Sequence, residues 1–383
     1  MIAITVCLVL FLVVAGYVFA GFLWRRLYYF EPGYDQIHFV ETCDGWKIAL
    51  HRYSPSRNRG PRKYPVVLCH GLGANRFNFD LGPATSLARF LQQEGYDVWV
   101  VELRGRGNSS RPRLFNTYRS RIWYFDDYVR KDIPASVAYV QALTGSPKVH
   151  WVGHSMGGFA LYAYLQGEGA GTIASGTALG SPGFFRPIGG FGFLPRIMKA
   201  VSVLPRIHVE LLSSGIAPLL ARGRFALSRL AVNPDNVDRV ALVRAVCFLV
   251  SDIHRGELRQ FSDWMSNGDF RSFDGRYSYQ AHYGRIETPM FFIAGAADGL
   301  AGLDSIRFVH ERVSSSMKRL VILGRGYGHS CDYGHGDLLI GKACREEVFP
   351  LIADWLATVD EKSEADGAGD RATTHRRQGE EAA

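Results

Sequence analysis

The 383-residue sequence predicts an α/β architecture: a mostly parallel sheet with helices on both faces, a helical cap insertion, and one N-terminal transmembrane helix in front. Three observations predict it. Short apolar runs alternate with helical patterns over most of the chain, the alternation breaks between about 183 and 286, and Ile2 to Trp24 carries no charge.

The uncharged segment comes first. As a helix rising about 1.5 Å per residue it would be roughly 35 Å long, enough to cross a hydrocarbon core of about 30 Å with some tilt. Arg25 and Arg26 follow at once, and Trp24, Tyr28 and Tyr29 suit the membrane interface. No Lys or Arg precedes the run, and it is longer than the apolar part of a usual secretory signal. An uncleaved single-pass anchor over 1–30 is therefore expected, although Val18-Phe19-Ala20 could serve as a cleavage site. Arg25, Arg26, Lys47, Arg52, Arg57, Arg59, Arg62 and Lys63 all follow the span, so the positive-inside rule puts the catalytic domain in the cytoplasm.

Beyond the anchor, Gln36–Thr42 and Trp46–Tyr53 flank Asp44-Gly45, a hairpin signal. Tyr64–Cys69, Asp97–Leu103, Lys148–Val152, Thr172–Leu179, Pro289–Ala294 and Lys318–Leu323 read as buried strands. Helical patterns lie at Thr85–Gln93, Phe125–Ala142, Met156–Leu165 and Glu346–Ala357. The core is expected over 31–182 and 287–359, with 183–286 as the helical cap and 360–383 as a disordered tail, because the tail is charged and lacks apolar periodicity.

Apolar residues at 47% and charged residues at 21% describe a globular protein with a substantial core. The six cysteines are scattered without metal-type spacing, which favours a reducing compartment over a disulfide framework. The net charge of +8 comes with no basic helix and no RNA-type aromatic motif. Nucleic acid is excluded on that basis, and an anionic lipid surface suits the charge better.

The chemistry centres on Gly153-His154-Ser155-Met156-Gly157, placed between a strand pattern and a helix pattern. A serine nucleophile needs a tight strand-to-helix turn, where side chains at the two glycines would meet backbone. Such a serine is a weak nucleophile until a base takes its proton and a third group orients the base. In chain order the acid comes next and the histidine last. Asp298 lies just past the strand Pro289–Ala294, with Asp304 as the fallback. His335 and His329 both follow the last strand; His335 is preferred because it leads into an apolar segment before the final helix. Backbone amides of Met156 and of Leu72, in His70-Gly71-Leu72-Gly73, are the candidate oxyanion donors. His70 reads as a brace for that loop.

On these residues the sequence resembles the acid-lipase-like branch of the α/β-hydrolases, from about Glu41 to Trp355. Val67-Leu68-Cys69-His70-Gly71-Leu72 resembles that family's oxyanion loop, Asp132-Ile133-Pro134-Ala135 its D-x-P-A, and Tyr333-Gly334-His335-Gly336-Asp337 its histidine segment. Leu258-Arg259-Gln260-Phe261 and Phe270–Tyr277 in the cap are similar instead to polyester-synthase-like hydrolases, which carry cysteine where this chain has Ser155.

The expected function is cleavage of a carboxylic ester, small-molecule or lipid, through an acyl-enzyme on Ser155, with neither cofactor nor metal. An acyltransferase on the same residues and a catalytically silent binding module are the alternatives. An epoxide hydrolase or dehalogenase is excluded because each needs a carboxylate at position 155. Phe184, Phe185, Phe191, Phe193 and Trp264 either line an apolar pocket or pack the cap. Substrate identity and oligomeric state stay open.

Overall fold

The computed structural model describes residues 2–56, 59–112, 122–186, 193–222 and 226–381. Arg57 and Phe191 lie outside the described residues. Its centre is an eight-stranded sheet. In chain order the strands are β1 (Gln36–Glu41), β2 (Lys47–Tyr53), β3 (Val66–Cys69), β4 (Val98–Glu102), β5 (Val149–His154), β6 (Ile173–Leu179), β7 (Met290–Gly295) and β8 (Lys318–Leu323). They lie side by side in the order β1-β2-β4-β3-β5-β6-β7-β8. β2 runs antiparallel to both neighbours, and every other pairing after it is parallel.

A parallel sheet needs cover on both faces, and strand alternation divides its apolar side chains between the two. In β4, Trp99 and Val101 enter one core while Val98 and Val100 enter the other. In β7, Met290 and Phe292 point one way and Phe291 and Ile293 the other. The first core is covered by α3 (Ile133–Thr144), α4 (Met156–Tyr164) and α6 (Leu303–Arg312), the second by α2 (Leu87–Gln93) and α7 (Phe349–Glu381). α6 lies in a stretch from which no helix was expected.

The stretch 183–286 holds short helices, the longer α5 (Arg255–Asn267), and a two-stranded ribbon of Arg206–Ile207 with Ile253–His254. It touches the loops after the strands: Ser251 N donates to Gly73 O, and Gly336 N donates to Ala231 O, both at 2.7 Å. α1 (Ile2–Leu27) precedes the sheet and is long and apolar enough to cross a membrane over Ile4–Leu27.

The expected boundary at 360 needs correction. α7 continues to Glu381, and Asp360 is buried, 3.0 Å from His150 Nε2 and accepting from the Tyr96 hydroxyl at 3.4 Å. Ser363 is bound by Lys63 and Tyr64. The polar composition that suggested a structureless tail is here the composition of a helix tied to the sheet by hydrogen bonds.

Candidate active site

β5 ends at His154, and Ser155 begins a reversal so tight that α4 starts at the next residue. Ser155 has φ 52° and ψ −114°, and among the described residues it alone has positive φ without being glycine. Such a conformation costs about 1–3 kcal/mol and persists only where its surroundings over-determine it. They do so here. A Cβ on Gly153 would lie 2.2 Å from the carbonyl carbon of Gly157, and one on Gly157 would lie 2.1 Å from Cys69 O. Ser155 N also donates to Leu179 O at 2.8 Å, fixing the turn against the end of β6.

Asp298 follows β7. Its Oδ2 accepts from His335 Nδ1 at 2.9 Å, and its Oδ1 accepts from the amides of Leu300 at 2.8 Å and Ala301 at 2.7 Å. With Nδ1–H given to Asp298, Nε2 is left as the basic nitrogen of His335. Two contacts bring this pair to the serine turn. Gly180, at φ 53°, leaves space that a Cβ would fill to within 3.1 Å of both Asp298 Oδ2 and His335 Nδ1. His154 Nε2 lies 3.1 Å from His335 O, with the two rings 4.7 Å apart. Ser155 is partly exposed, and among the described residues its hydroxyl has no hydrogen-bond partner, so nothing in the protein occupies it before substrate arrives.

The alternatives sit elsewhere. His329 closes its own turn, with Nδ1 3.3 Å from Gly324 N. Asp304 is largely exposed and faces Arg186 at 3.8 Å. Neither bonds Asp298 or His335.

The two candidate oxyanion amides flank the nucleophile. Met156 N opens α4, where the first amides have no partner within the helix. Leu72 follows Gly71, whose added Cβ would come 3.2 Å from Ser155 Cβ. His70 holds this loop: its Nδ1 donates to Gly71 O at 2.9 Å, and its Nε2 accepts from Leu103 N at 3.2 Å. That pattern requires a neutral ring, and burial pushes the pKa of His70 down to about 4.

The histidine loop is held from its other side by Asp337. Its buried carboxylate accepts from Gly334 N, Asn233 N and Asn236 Nδ2 at 2.9, 3.0 and 2.7 Å. Residues of the cap stretch are thereby fastened to the loop that carries His335.

A family model described as the alpha/beta hydrolase fold matches residues 64–188. Triacylglycerol lipase 2 of Arabidopsis thaliana is 23% identical over 83% of this chain and 84% of its own length. Human lysosomal acid lipase/cholesteryl ester hydrolase is 32% identical, over 44% of this chain and 43% of its own. This chain is an α/β-hydrolase-fold protein related to acid lipases. The fold likeness extends to a soluble variant of monoglyceride lipase from Saccharomyces cerevisiae, with a TM-score of 0.57 at 17% identity over 85% of this chain and 96% of that one.

In this hydrolase two functional contributions escaped sequence reasoning. His154 was set aside as too early in the chain to be the base, yet it bonds the backbone of His335; only its place before the nucleophile hinted at it. Asn78, whose Oδ1 faces His154 Nδ1 at 3.0 Å and accepts from Gly71 N at 3.2 Å, carried no signal.

The hydrolase also contains a second Ser-His-Asp chain, which shows what distinguishes the first. Ser175 Oγ lies 2.8 Å from His150 Nδ1, and His150 Nε2 3.0 Å from Asp360 Oδ1. Ser175 and His150 are fully buried, and Ser175 has an ordinary strand backbone. With no solvent access and no turn to present the hydroxyl, this chain ties α7 to the sheet.

Proposed function

We propose that this chain is a membrane-anchored serine hydrolase that cleaves a lipid-like carboxylic ester through an acyl-enzyme on Ser155. The observation that carries the proposal is the Asp298–His335 hydrogen bond set beside a serine held at φ 52°.

In the proposed reaction Ser155 Oγ attacks the acyl carbonyl as His335 Nε2 takes its proton. Asp298 keeps the Nδ1 proton in place and stabilises the imidazolium. The amides of Leu72 and Met156 donate to the oxyanion as negative charge develops on it. The alcohol leaves with the proton from His335, and water activated by the same nitrogen then releases the acid and restores the serine. The lipase names of the curated relatives favour a lipid ester.

The anchor is α1, which has a mean hydropathy of 2.7 and is followed by the Lys/Arg-rich stretch that places the catalytic domain on the cytoplasmic side.

The test is hydrolysis of p-nitrophenyl esters from acetyl to palmitoyl by the full chain in detergent, with Ser155→Ala beside it. Activity should vanish in the variant along with labelling by a fluorophosphonate probe. Full activity in Ser155→Ala would overturn the mechanism. Adding an acceptor alcohol reads out acyl transfer, and product dominated by the new ester would replace hydrolysis with that reaction.

A further inference from the structure

We infer that α1 and the cap stretch 203–220 enter the lipid bilayer as one docked unit, which makes the exposed apolar face of that stretch a membrane-binding surface. The inference rests on the reading of α1 as an anchor and goes beyond it, because an anchor alone would leave the cap in water.

α1 is not free along its length. Tyr17, Ala20, Gly21, Trp24, Arg25 and Tyr28 are sheltered while their neighbours are exposed, and that spacing is one face of a helix. The stripe lies against the cap. The Tyr17 hydroxyl donates to Leu212 O, and Arg25 pairs with Glu210 at 2.9 Å. A glycine on each partner permits the approach: a Cβ on Gly215 would lie 2.5 Å from the Tyr17 ring, and one on Gly21 would lie 2.9 Å from Ser214 Oγ. Small residues at such a contact are how helices approach closely in lipid.

Length then decides the depth. The fully exposed part, residues 4–16, has 13 residues and would be about 20 Å long as a helix. That falls short of a hydrocarbon core of about 30 Å. To span, α1 must also bury the segment from Tyr17 onward, and the cap residues touching Tyr17 and Gly21 go with it. Arg25 marks the polar boundary, and Tyr17 lies eight residues, or about 12 Å, inside it.

The surface carried inward suits that environment. Val203, Leu204, Leu211, Leu212, Ile216 and Leu219 are exposed, Leu212 at 59% and Val203 at 71%. The hydroxyls between them are satisfied locally, Ser213 by Glu210 O at 3.4 Å and Ser214 by Leu211 O at 3.2 Å. Glu210, the charged member of the segment, is held by Arg25 at the level expected for the headgroups. An exposed apolar patch in water would be a liability, whereas in lipid it contributes roughly 25 cal/mol for each Å² buried.

The test places single tryptophans in the full chain, reconstituted in vesicles of phosphatidylcholine and phosphatidylglycerol with brominated acyl chains, and reads emission against the parent protein. Phe11→Trp reports on the anchor, Leu212→Trp and Leu219→Trp on the cap, and Leu143→Trp on an exposed site of the core. Emission from the first three should be quenched to a comparable extent, with Leu143→Trp unaffected. Quenching of Phe11→Trp without the two cap positions would overturn the inference and leave the anchor standing; the face would then belong to a second copy or to water. Quenching of none would remove the anchor itself, and the inference with it.

Discussion

Asp298 and His335 stand 37 residues apart in the chain and meet through a 2.9 Å hydrogen bond, with the second oxygen of Asp298 held by two backbone amides. Because Oδ1 is anchored to the turn after β7, Oδ2 has one direction in which to point. His335 therefore receives both its tautomer and its ring orientation from a residue that cannot easily turn away.

Asp298→Asn tests that relation. The amide oxygen can keep the bonds to Leu300 and Ala301, but the NH2 group would then face His335 Nδ1 and force the proton onto Nε2. We expect kcat to fall about 10⁴-fold with little change in KM or melting temperature. A loss smaller than about tenfold in steady-state ester hydrolysis would remove Asp298 from its assigned role.

Gly157→Ala probes the serine turn through stability. Its Cβ would stand 2.1 Å from Cys69 O, and backbone on both sides must move. A loss of about 3 kcal/mol is expected in denaturant unfolding. Gly171→Ala, where nothing lies within 4 Å, serves as the control and should be close to neutral.

The cap is bolted to the core by a buried ion pair. Arg106 Nη2 donates to Glu257 Oε1 at 2.5 Å, and Tyr128 and the His254 amide donate to the same carboxylate. Glu257→Gln leaves the Arg106 guanidinium buried without its counter-charge, which costs about 3–5 kcal/mol. Calorimetry should show a lowered melting temperature, and hydrogen exchange should accelerate in α5. Adding Arg106→Met to Glu257→Gln should recover much of the loss; no recovery would show that the pair does not act as a unit.

Acid should weaken the fold through its buried histidines. Burial lowers the pKa of His70 from 6.5 to about 4 and that of His154 to about 3. Between those values and 6.5 the unfolded chain binds more protons than the folded one, so stability rises with pH. The contribution of neutral His70 is complete above 6.5 and declines as pH falls towards 4, by up to about 1.4 kcal/mol per pH unit. The stability gap between wild type and His70→Gln should therefore narrow from about pH 7 to about pH 4.5. A gap independent of pH would mean that His70 is not held neutral.

All eight strands and the order of the three candidate residues were legible in the chain. The strands are Val/Ile-rich runs buried on both faces, and the serine motif sits at a change of period from strand to helix; both signals are local. The helix Leu303–Arg312 was missed because only one face of it is buried and its charged residues obscure the apolar period. Asp360 was misread because a polar composition cannot reveal that a carboxylate will meet a histidine 210 residues away.

The sequence by itself determined the hydrophobic pattern, and with it the sheet, its covering helices and the apolar N-terminal segment, along with the glycines without which Ser155 could not take its backbone conformation. Tertiary structure alone decided which histidine meets Asp298, since His329 and His335 follow the same strand and differ only in which loop carbonyls and carboxylates close around them. It also decided that α1 lies along the cap. That contact depends on the matched positions of Gly21 and Gly215, 194 residues apart, and no local periodicity records a fit between surfaces so distant in the chain.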